Sequence, residues 1–356
     1  MNDQYTRRLE KIEEILADWL PESPDSVWIH RSAGPLDTGL ADSTVRPLIE
    51  PGRDLMNRGG KRWRPMLALL IAELFGKGPT AAELAPLVEF AHTGSLIIDD
   101  IEDNADMRRG RETAHIIYGT DTAINAGNFL YFLSPGTIDS LDAPEPVRLK
   151  LYRAYTENMR RLHFGQGMDI YWHRNPGVFP PVEEYYQMCS FKTGSLARFS
   201  GQVGMITAGI SEEESRFGLL SDACETLGVG FQIIDDVINL SEGNPGKARG
   251  DDIVEGKKSL PVLLHTIERP EECEHITDIF RRAAESSGVG RNRAVEEGIS
   301  LLEASGSIAA ARKRALQMLD EAEASFGTVF PPSGGGEYSD ARKCLFSMIA
   351  AFKSSG

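Results

Sequence analysis

The chain has 356 residues, 41% apolar and 26% charged, with 38 Lys and Arg against 53 Asp and Glu, a formal net charge of −15. That composition is ordinary for a globular protein and excludes collagen-like repeats, low complexity and wholesale disorder; the acidic balance disfavours general nucleic-acid binding. No stretch reaches the roughly 18 consecutive apolar residues of a membrane span, and MNDQYTRRLEKIEE at the N-terminus lacks the apolar core of a secretory signal.

Along the chain, helical periodicity dominates. An N-terminal helix ends at Pro21–Glu22–Ser23–Pro24. Gly59–Gly60–Lys61–Arg62–Trp63–Arg64–Pro65 then places three cations just before a helix whose apolar run is Met66 to Ala72, and Gly76–Lys77–Gly78–Pro79 reads as a helix–helix turn. Leu84, Leu87, Val88, Ala91, Ser95 and Ile98 recur at spacings of three and four, one apolar stripe on a helix. Pro86 belongs near its first turn, since deeper inside it would cost about 3 kcal/mol. This helix ends in Asp99–Asp100–Ile101–Glu102–Asp103, and Arg108–Arg109–Gly110 follows. Asn175–Pro176–Gly177 and Pro180–Pro181 mark a loop before Lys192–Thr193–Gly194. A second stripe (Leu220, Ala223, Leu227, Phe231, Ile234, Ile238) carries Asp235–Asp236–Val237–Ile238–Asn239 at its end. Gly243 to Gly256 reads as a Gly- and charge-rich loop containing Lys247, with Lys257 and Lys258 beyond it. Residues 270–356 carry no readable motif; after Pro331–Pro332–Ser333–Gly334–Gly335–Gly336, residues 340–352 read as a short amphipathic helix. Strand alternation is absent and no linker forces a boundary, so the expectation is one all-α domain over residues 1–356 with about a dozen helices. Cys189, Cys224, Cys273 and Cys344 are scattered, which argues against a disulfide framework or structural zinc and fits a cytoplasmic location.

The two acidic clusters are the sharpest features. Asp99 and Asp103 lie four apart, on one helix face. Three carboxylates within about 6 Å repel one another unless a cation sits among them. A lone cluster of this kind is usually a solvated face. Two copies, each behind an apolar run, instead suggest an oxygen-only site for Mg²⁺, which binds through one or two carboxylates and substrate phosphates. Cations ahead of a helix oppose its macrodipole, a conflict that a bound anion removes. Lys and Arg beside both acidic clusters in an acidic protein point to a diphosphate.

The ordered motifs GGKRWRP, DDIEDNADMRRG, GQGMDIYW, KTG, FQIIDDVIN and EGKKSLP, over roughly residues 50 to 265, resemble the trans-isoprenyl diphosphate synthases of the polyprenyl synthetase family. AINAGNFLYFL, the HxGQGxDIYW run and a second motif ending in Asn are similar to the eukaryotic-type geranylgeranyl diphosphate synthases. The resemblance implies an isoprenoid-synthase fold, an all-α single-domain bundle around a central cavity. It implies elongation of an allylic diphosphate (dimethylallyl, geranyl or farnesyl) by isopentenyl diphosphate, and a homodimer formed through helices, to which the N-terminal helix would contribute. Asp99, Asp100, Asp103, Asp235 and Asp236 would hold three Mg²⁺ ions, with Asn239 contributing weakly. Arg108, Lys192, Lys247 and Lys257 would contact the allylic diphosphate, and Lys61, Arg64, His92 and Arg109 isopentenyl diphosphate. Thr193 and Gln232 would steady the carbocation. Gly94 and Ser95, both small, would open the product tunnel, and Tyr131, Phe132 and His163 would form a deeper floor that sets a C20 product. Ile98 departs from the bacterial pattern, which often has His there. The alternatives are a longer-chain synthase for a quinone side chain, a class I terpene cyclase, whose N-S/T-E type second motif is absent from residues 235–243, and a non-catalytic regulatory subunit, whose Asp motifs would be eroded.

Overall fold

The computed structural model describes residues 3–243 and 249–355. Lys247 lies outside the described residues. Among them the chain folds into nineteen α-helices and one two-residue ladder, Met107–Arg108 with Arg111–Glu112. The helix count exceeds the expected dozen because short helices form in segments that read as turns. Asp251–Glu255, inside the stretch read as a loop, is one of them: Gly250 and Gly256 bracket it at φ 77° and 71°, and Asp251 and Asp252 favour its positive N-terminal end. The last helix, Glu337–Ser355, runs 19 residues rather than a few turns, with Glu337 and Asp340 in its first turn and Lys353 in its last. No helix among the described residues is long and apolar enough to cross a membrane.

Contacts between Cα atoms divide the chain into two compact units. The first comprises Met1–Glu157, Phe199–Ser221 and Val329–Phe346; the second comprises Asn158–Arg198, Asp222–Thr328 and Ser347–Gly356. In the first unit the helix Trp63–Leu74 is buried at every position but Glu73, which is what its unbroken apolar run dictates. It packs on the helix Ala85–Glu102, which in turn packs on Thr120–Leu133. Pro86 sits in the first turn of Ala85–Glu102, where its missing N–H costs nothing. The N-terminal helix Asp3–Trp19 buries Ile12, Leu16 and Trp19 within this unit and ties Arg8 to Glu73 at 2.8 Å. Its apolar face is therefore used internally.

In the second unit Leu240, Ile253, Val262, Ile276, Ile279, Phe280, Val295 and Leu302 form one apolar core. This core anchors the end of the helix Ser215–Leu240 and the short helix Asp251–Glu255. Residues without a readable motif thus serve as the support beneath the second acidic segment.

Candidate active site

In the first unit, the segment Gly59–Arg64 gathers a cluster of buried cations. Arg62 takes the left-handed conformation (φ 45°) and turns inward, pairing with Glu89 at 3.0 Å and Glu13 at 2.8 Å and donating to the Met56 carbonyl at 2.7 Å. Arg64 is also buried and points one guanidinium nitrogen at His92 Nε2, 3.3 Å away. Arginine only donates, so His92 Nε2 accepts and the imidazole is neutral. Burial, reinforced by the charges of Arg64, Arg109, Arg62 and Arg108, holds the His92 pKa well below its ordinary value. Arg109 donates to the carbonyls of Leu55 and Gly59. Burial and then the charge of Arg62 bring its pKa down to about 10. Lys61 is exposed at the rim of the segment.

Local backbone explains the convergence. Arg109 and Gly110 both have positive φ (53° and 76°), the signature of a two-residue type I′ turn closing the Met107–Glu112 ladder. Arg58 pins this hairpin by donating to the carbonyls of Arg108 (3.1 Å) and Glu112 (2.8 Å). Gly60 is needed as well, because its φ of 149° is one that L side chains rarely adopt; a Cβ there would also crowd Arg62 Nη1 at 2.7 Å and Arg109 Nη2 at 3.0 Å. Among the described residues only Arg62, Asn104 and Arg109 carry positive φ without being glycine, and all three flank the cation cluster or the first acidic motif.

The first acidic motif occupies the C-terminal turn of Ala85–Glu102, with Asp103 as the cap. Carboxylates are unfavourable at that negative end of the helix dipole. Arg108 offsets part of this: its guanidinium bonds Asp100 Oδ1 at 2.5 and 2.8 Å and reaches Asp99 Oδ2 at 3.4 Å. Asp100 is 1% exposed, whereas Asp99 and Asp103 are half-buried and one turn apart. The helix therefore separates the three carboxylates that the sequence grouped.

One turn earlier, Gly94 faces the helix Thr120–Leu133 at close range. A Cβ at Gly94 would lie 2.8 Å from the Gly127 carbonyl and 3.1 Å from Tyr131 Cε1. Ser95 turns its hydroxyl back to the His92 carbonyl at 2.7 Å. Tyr131 is half-buried against Gly94, but Phe132, the next residue round the helix, is 79% exposed. His163, in the second unit, is exposed and its Nδ1 bonds the Met159 carbonyl at 2.8 Å. Of the three expected floor residues, Tyr131 alone sits against Gly94.

In the second unit, Lys192 and Thr193 lie on a single π-helical turn, Ser190–Gly194, of a kind that often marks functional segments. Gly165 permits it: a Cβ there would stand 2.3 Å from the Lys192 nitrogen. Gly228 similarly lets the helix Ser215–Leu240 approach Gly194, with a Cβ-to-Cα distance of 2.9 Å. One turn beyond Gly228, Gln232 Oε1 accepts the Thr193 hydroxyl at 2.7 Å and Gln232 Nε2 donates to Asp236 Oδ1 at 2.8 Å. Tyr185 donates to Asp236 Oδ2, also at 2.8 Å. Burial and the neighbouring charge of Asp252 push the Asp236 pKa up to about 8 against these hydrogen bonds. Asp235 is half-buried.

Lys192 pairs with Asp169 at 2.6 Å, and Lys257 with Glu255 at 2.7 Å and Asp252 at 3.3 Å. Asn239 is buried, and its side-chain oxygen accepts the Asp252 N–H at 3.3 Å, a bond that fastens the short Asp251–Glu255 helix. Tyr185, Asp169, Asp252 and Arg58 escaped the sequence reading. Asp169 lies within a motif already noted, and the others had no spacing signal.

Among the described residues no three His, Cys, Asp or Glu side chains form a metal-holding group by themselves. The donors are instead helix-borne carboxylate oxygens flanked by Arg and Lys. This set fits a cation that completes its shell with phosphate oxygens and water.

A family profile described as "Polyprenyl synthetase" matches residues 45–297. The geranylgeranyl pyrophosphate synthase dpasD of Apiospora sacchari is 35% identical over 238 residues, 66% of this chain and 66% of that protein. The geranylgeranyl pyrophosphate synthase of Eremothecium gossypii is 32% identical over 280 residues, 76% of this chain and 85% of that protein. The crystal structure of geranylgeranyl pyrophosphate synthetase from Pyrococcus horikoshii superposes with a TM-score of 0.78 at 27% identity, covering 98% of both chains. With the all-α architecture and both acidic helix ends beside their cations, these matches show that the chain belongs to the polyprenyl synthetase family and is a prenyltransferase.

Proposed function

We propose that the chain elongates an allylic diphosphate with isopentenyl diphosphate, head to tail and in trans, to geranylgeranyl diphosphate. The observation that carries the reading is the clustering of buried Arg62 and Arg64 and half-buried Arg109 around a neutral His92. Such a cluster is relieved by a diphosphate, which takes bidentate hydrogen bonds from guanidinium groups.

Arg64, His92 and Arg109, with Lys61 at the rim, would take isopentenyl diphosphate. Arg108, Lys192 and Lys257 would take the allylic diphosphate, exchanging their present carboxylate partners for phosphate oxygens. Asp99 and Asp103 in the first unit and Asp235 in the second are the half-buried carboxylates suited to Mg²⁺; Asp100 and Asp236 are more deeply buried and already accept hydrogen bonds. When bound, Mg²⁺ neutralises the leaving pyrophosphate and polarises the C–O bond. Thr193 and Gln232 would present oxygen dipoles to the allylic cation, from which water must be excluded. The alkene of isopentenyl diphosphate then attacks, and the released pyrophosphate takes the proton.

The C20 length rests on the small side chains of Gly94 and Ser95 ahead of the first motif and on Tyr131 as the wall packed against Gly94. A second copy of the chain would cover the exposed ridge of Ile124 and Phe132 on Thr120–Leu133, giving a homodimer.

The test incubates purified protein with Mg²⁺, labelled isopentenyl diphosphate and, separately, dimethylallyl, geranyl and farnesyl diphosphates, and sizes the dephosphorylated products. A C20 product lost in Asp99→Ala supports the reading. Longer products keep the reaction and refute the tunnel assignment. A folded protein that condenses none of the primers refutes the reaction.

A further inference from the structure

Asp236 is 6% exposed, and each of its oxygens accepts a hydrogen bond, Oδ1 from Gln232 Nε2 and Oδ2 from the Tyr185 hydroxyl, both at 2.8 Å. Tyr185 is among the largest fully buried side chains of the protein. Gln232 stands between two polar partners, because its Oε1 accepts the Thr193 hydroxyl at 2.7 Å. The relay therefore runs Tyr185, Asp236, Gln232, Thr193, from the buried interior of the second unit out to the π-helical turn.

The relay has a direction. A side-chain amide fits a site either way round, and only its partners choose. Both Asp236 oxygens act as acceptors here, one from Tyr185 and one from Gln232 Nε2, so Asp236 draws the Gln232 NH₂ and turns the amide oxygen toward Thr193. The Thr193 hydroxyl then spends its hydrogen on that oxygen, leaving its lone pairs available to positive charge. The Gln232–Asp236 bond is local, one helical turn along the same helix. The Tyr185 bond is not local, and it is what stops the carboxylate from rotating away from Gln232.

We propose that Tyr185 is a positioning residue of the prenyl transfer: acting through Asp236, it locks the Gln232 amide so that the oxygens of Gln232 and Thr193 both face the allylic cation. This inference rests on the reaction proposed above. It gives Asp236 the task of orienting Gln232 rather than of holding metal.

The test is the fate of the cation. In productive turnover the C–O bond to pyrophosphate breaks, a C–C bond forms to isopentenyl diphosphate, and a proton is lost. In the abortive route water captures the cation, giving the allylic alcohol, pyrophosphate and a proton. The ratio of alcohol to elongated diphosphate is counted per turnover, so the fraction of folded enzyme does not affect it. Tyr185→Phe keeps the ring and removes the hydroxyl. With geranyl diphosphate, isopentenyl diphosphate and Mg²⁺, it is expected to raise that ratio on the order of tenfold, as for a small misplacement of a catalytic group. The KM for both substrates should stay near wild type while kcat falls. Calorimetric titration of Mg²⁺ with inorganic pyrophosphate should give the variant the wild-type affinity within about threefold. An unchanged alcohol ratio in Tyr185→Phe, or a loss of Mg²⁺–pyrophosphate affinity of about tenfold or more, would overturn the positioning role. Absence of condensation by the wild-type protein in the same assay would overturn the proposed reaction itself.

Discussion

At Lys258 the sequence shows only the second of two adjacent lysines, yet the fold buries it to 2% exposure. Its ammonium lies 4.6 Å from the Phe280 ring centre and donates to the Gly256 carbonyl at 2.8 Å. Burial lowers its pKa from the ordinary 10.5 to about 8. Between those two values the unfolded chain holds a proton that the folded chain does not, so stability rises with pH through this window. The penalty removed over the window is roughly 3 kcal/mol. Lys258→Met should flatten that rise, measured as the difference in urea unfolding free energy between pH 7.5 and pH 10 for the two proteins. An equal rise in both would show that Lys258 is not the group responsible. A second residue-scale contrast concerns product length. Tyr131 lies against Gly94 whereas Phe132 is exposed. Tyr131→Ala alone should therefore lengthen the product beyond C20, and Phe132→Ala alone should leave it unchanged. Chromatography of the dephosphorylated products checks both.

At the scale of elements, glycines decide how closely the helices that carry the functional side chains approach. Gly165 shows this most sharply, since a Cβ there would collide with the Lys192 backbone at 2.3 Å. Backbone cannot rotate out of the way as a flexible side chain does, so Gly165→Ala must push the π-helical turn aside. Overpacking of this kind costs on the order of 1–3 kcal/mol. Because the displaced turn carries Lys192 and Thr193, kcat should fall by more than the loss of folded protein explains. Thermal unfolding together with kcat per active site separates the two effects, and a fully active Gly165→Ala would show that the turn tolerates displacement. The acidic motifs belong to this scale too. Spacing alone put Asp99, Asp100 and Asp103 on one short stretch, and helical geometry then assigned them different surroundings. Asp100 faces Arg108, while Asp99 and Asp103 remain half-buried a turn apart.

At the scale of the molecule, the net charge of −15 makes the internal cations conspicuous, because each is surrounded by groups that the fold, and not the composition, supplies. The proposed homodimer is tested here. Phe132→Asp places a charge on the exposed ridge of Thr120–Leu133, where a solvated monomer would accept it without cost. In a dimer that buries the ridge, the charge would be desolvated without a partner. Sedimentation velocity should show wild type as a dimer and Phe132→Asp shifted toward monomer at micromolar concentration. A wild type that sediments as a monomer refutes the assembly.

The sequence by itself determined the all-α class, the family, both acidic motifs and most of the cations, because helical spacing and motif order are local properties written in consecutive residues. It placed Pro86 in the first turn, and it placed both Asp clusters at the ends of apolar helices. Only the tertiary structure decided which way each of these side chains faces. Arg62 turns inward to Glu89, Asn239 fastens a neighbouring helix, Phe132 points outward while Tyr131 packs on Gly94, and Tyr185 reaches Asp236 from 51 residues away. Hydrogen bonds and close packing between residues distant in the chain depend on how whole helices stack, and no local pattern of residue types encodes that distance.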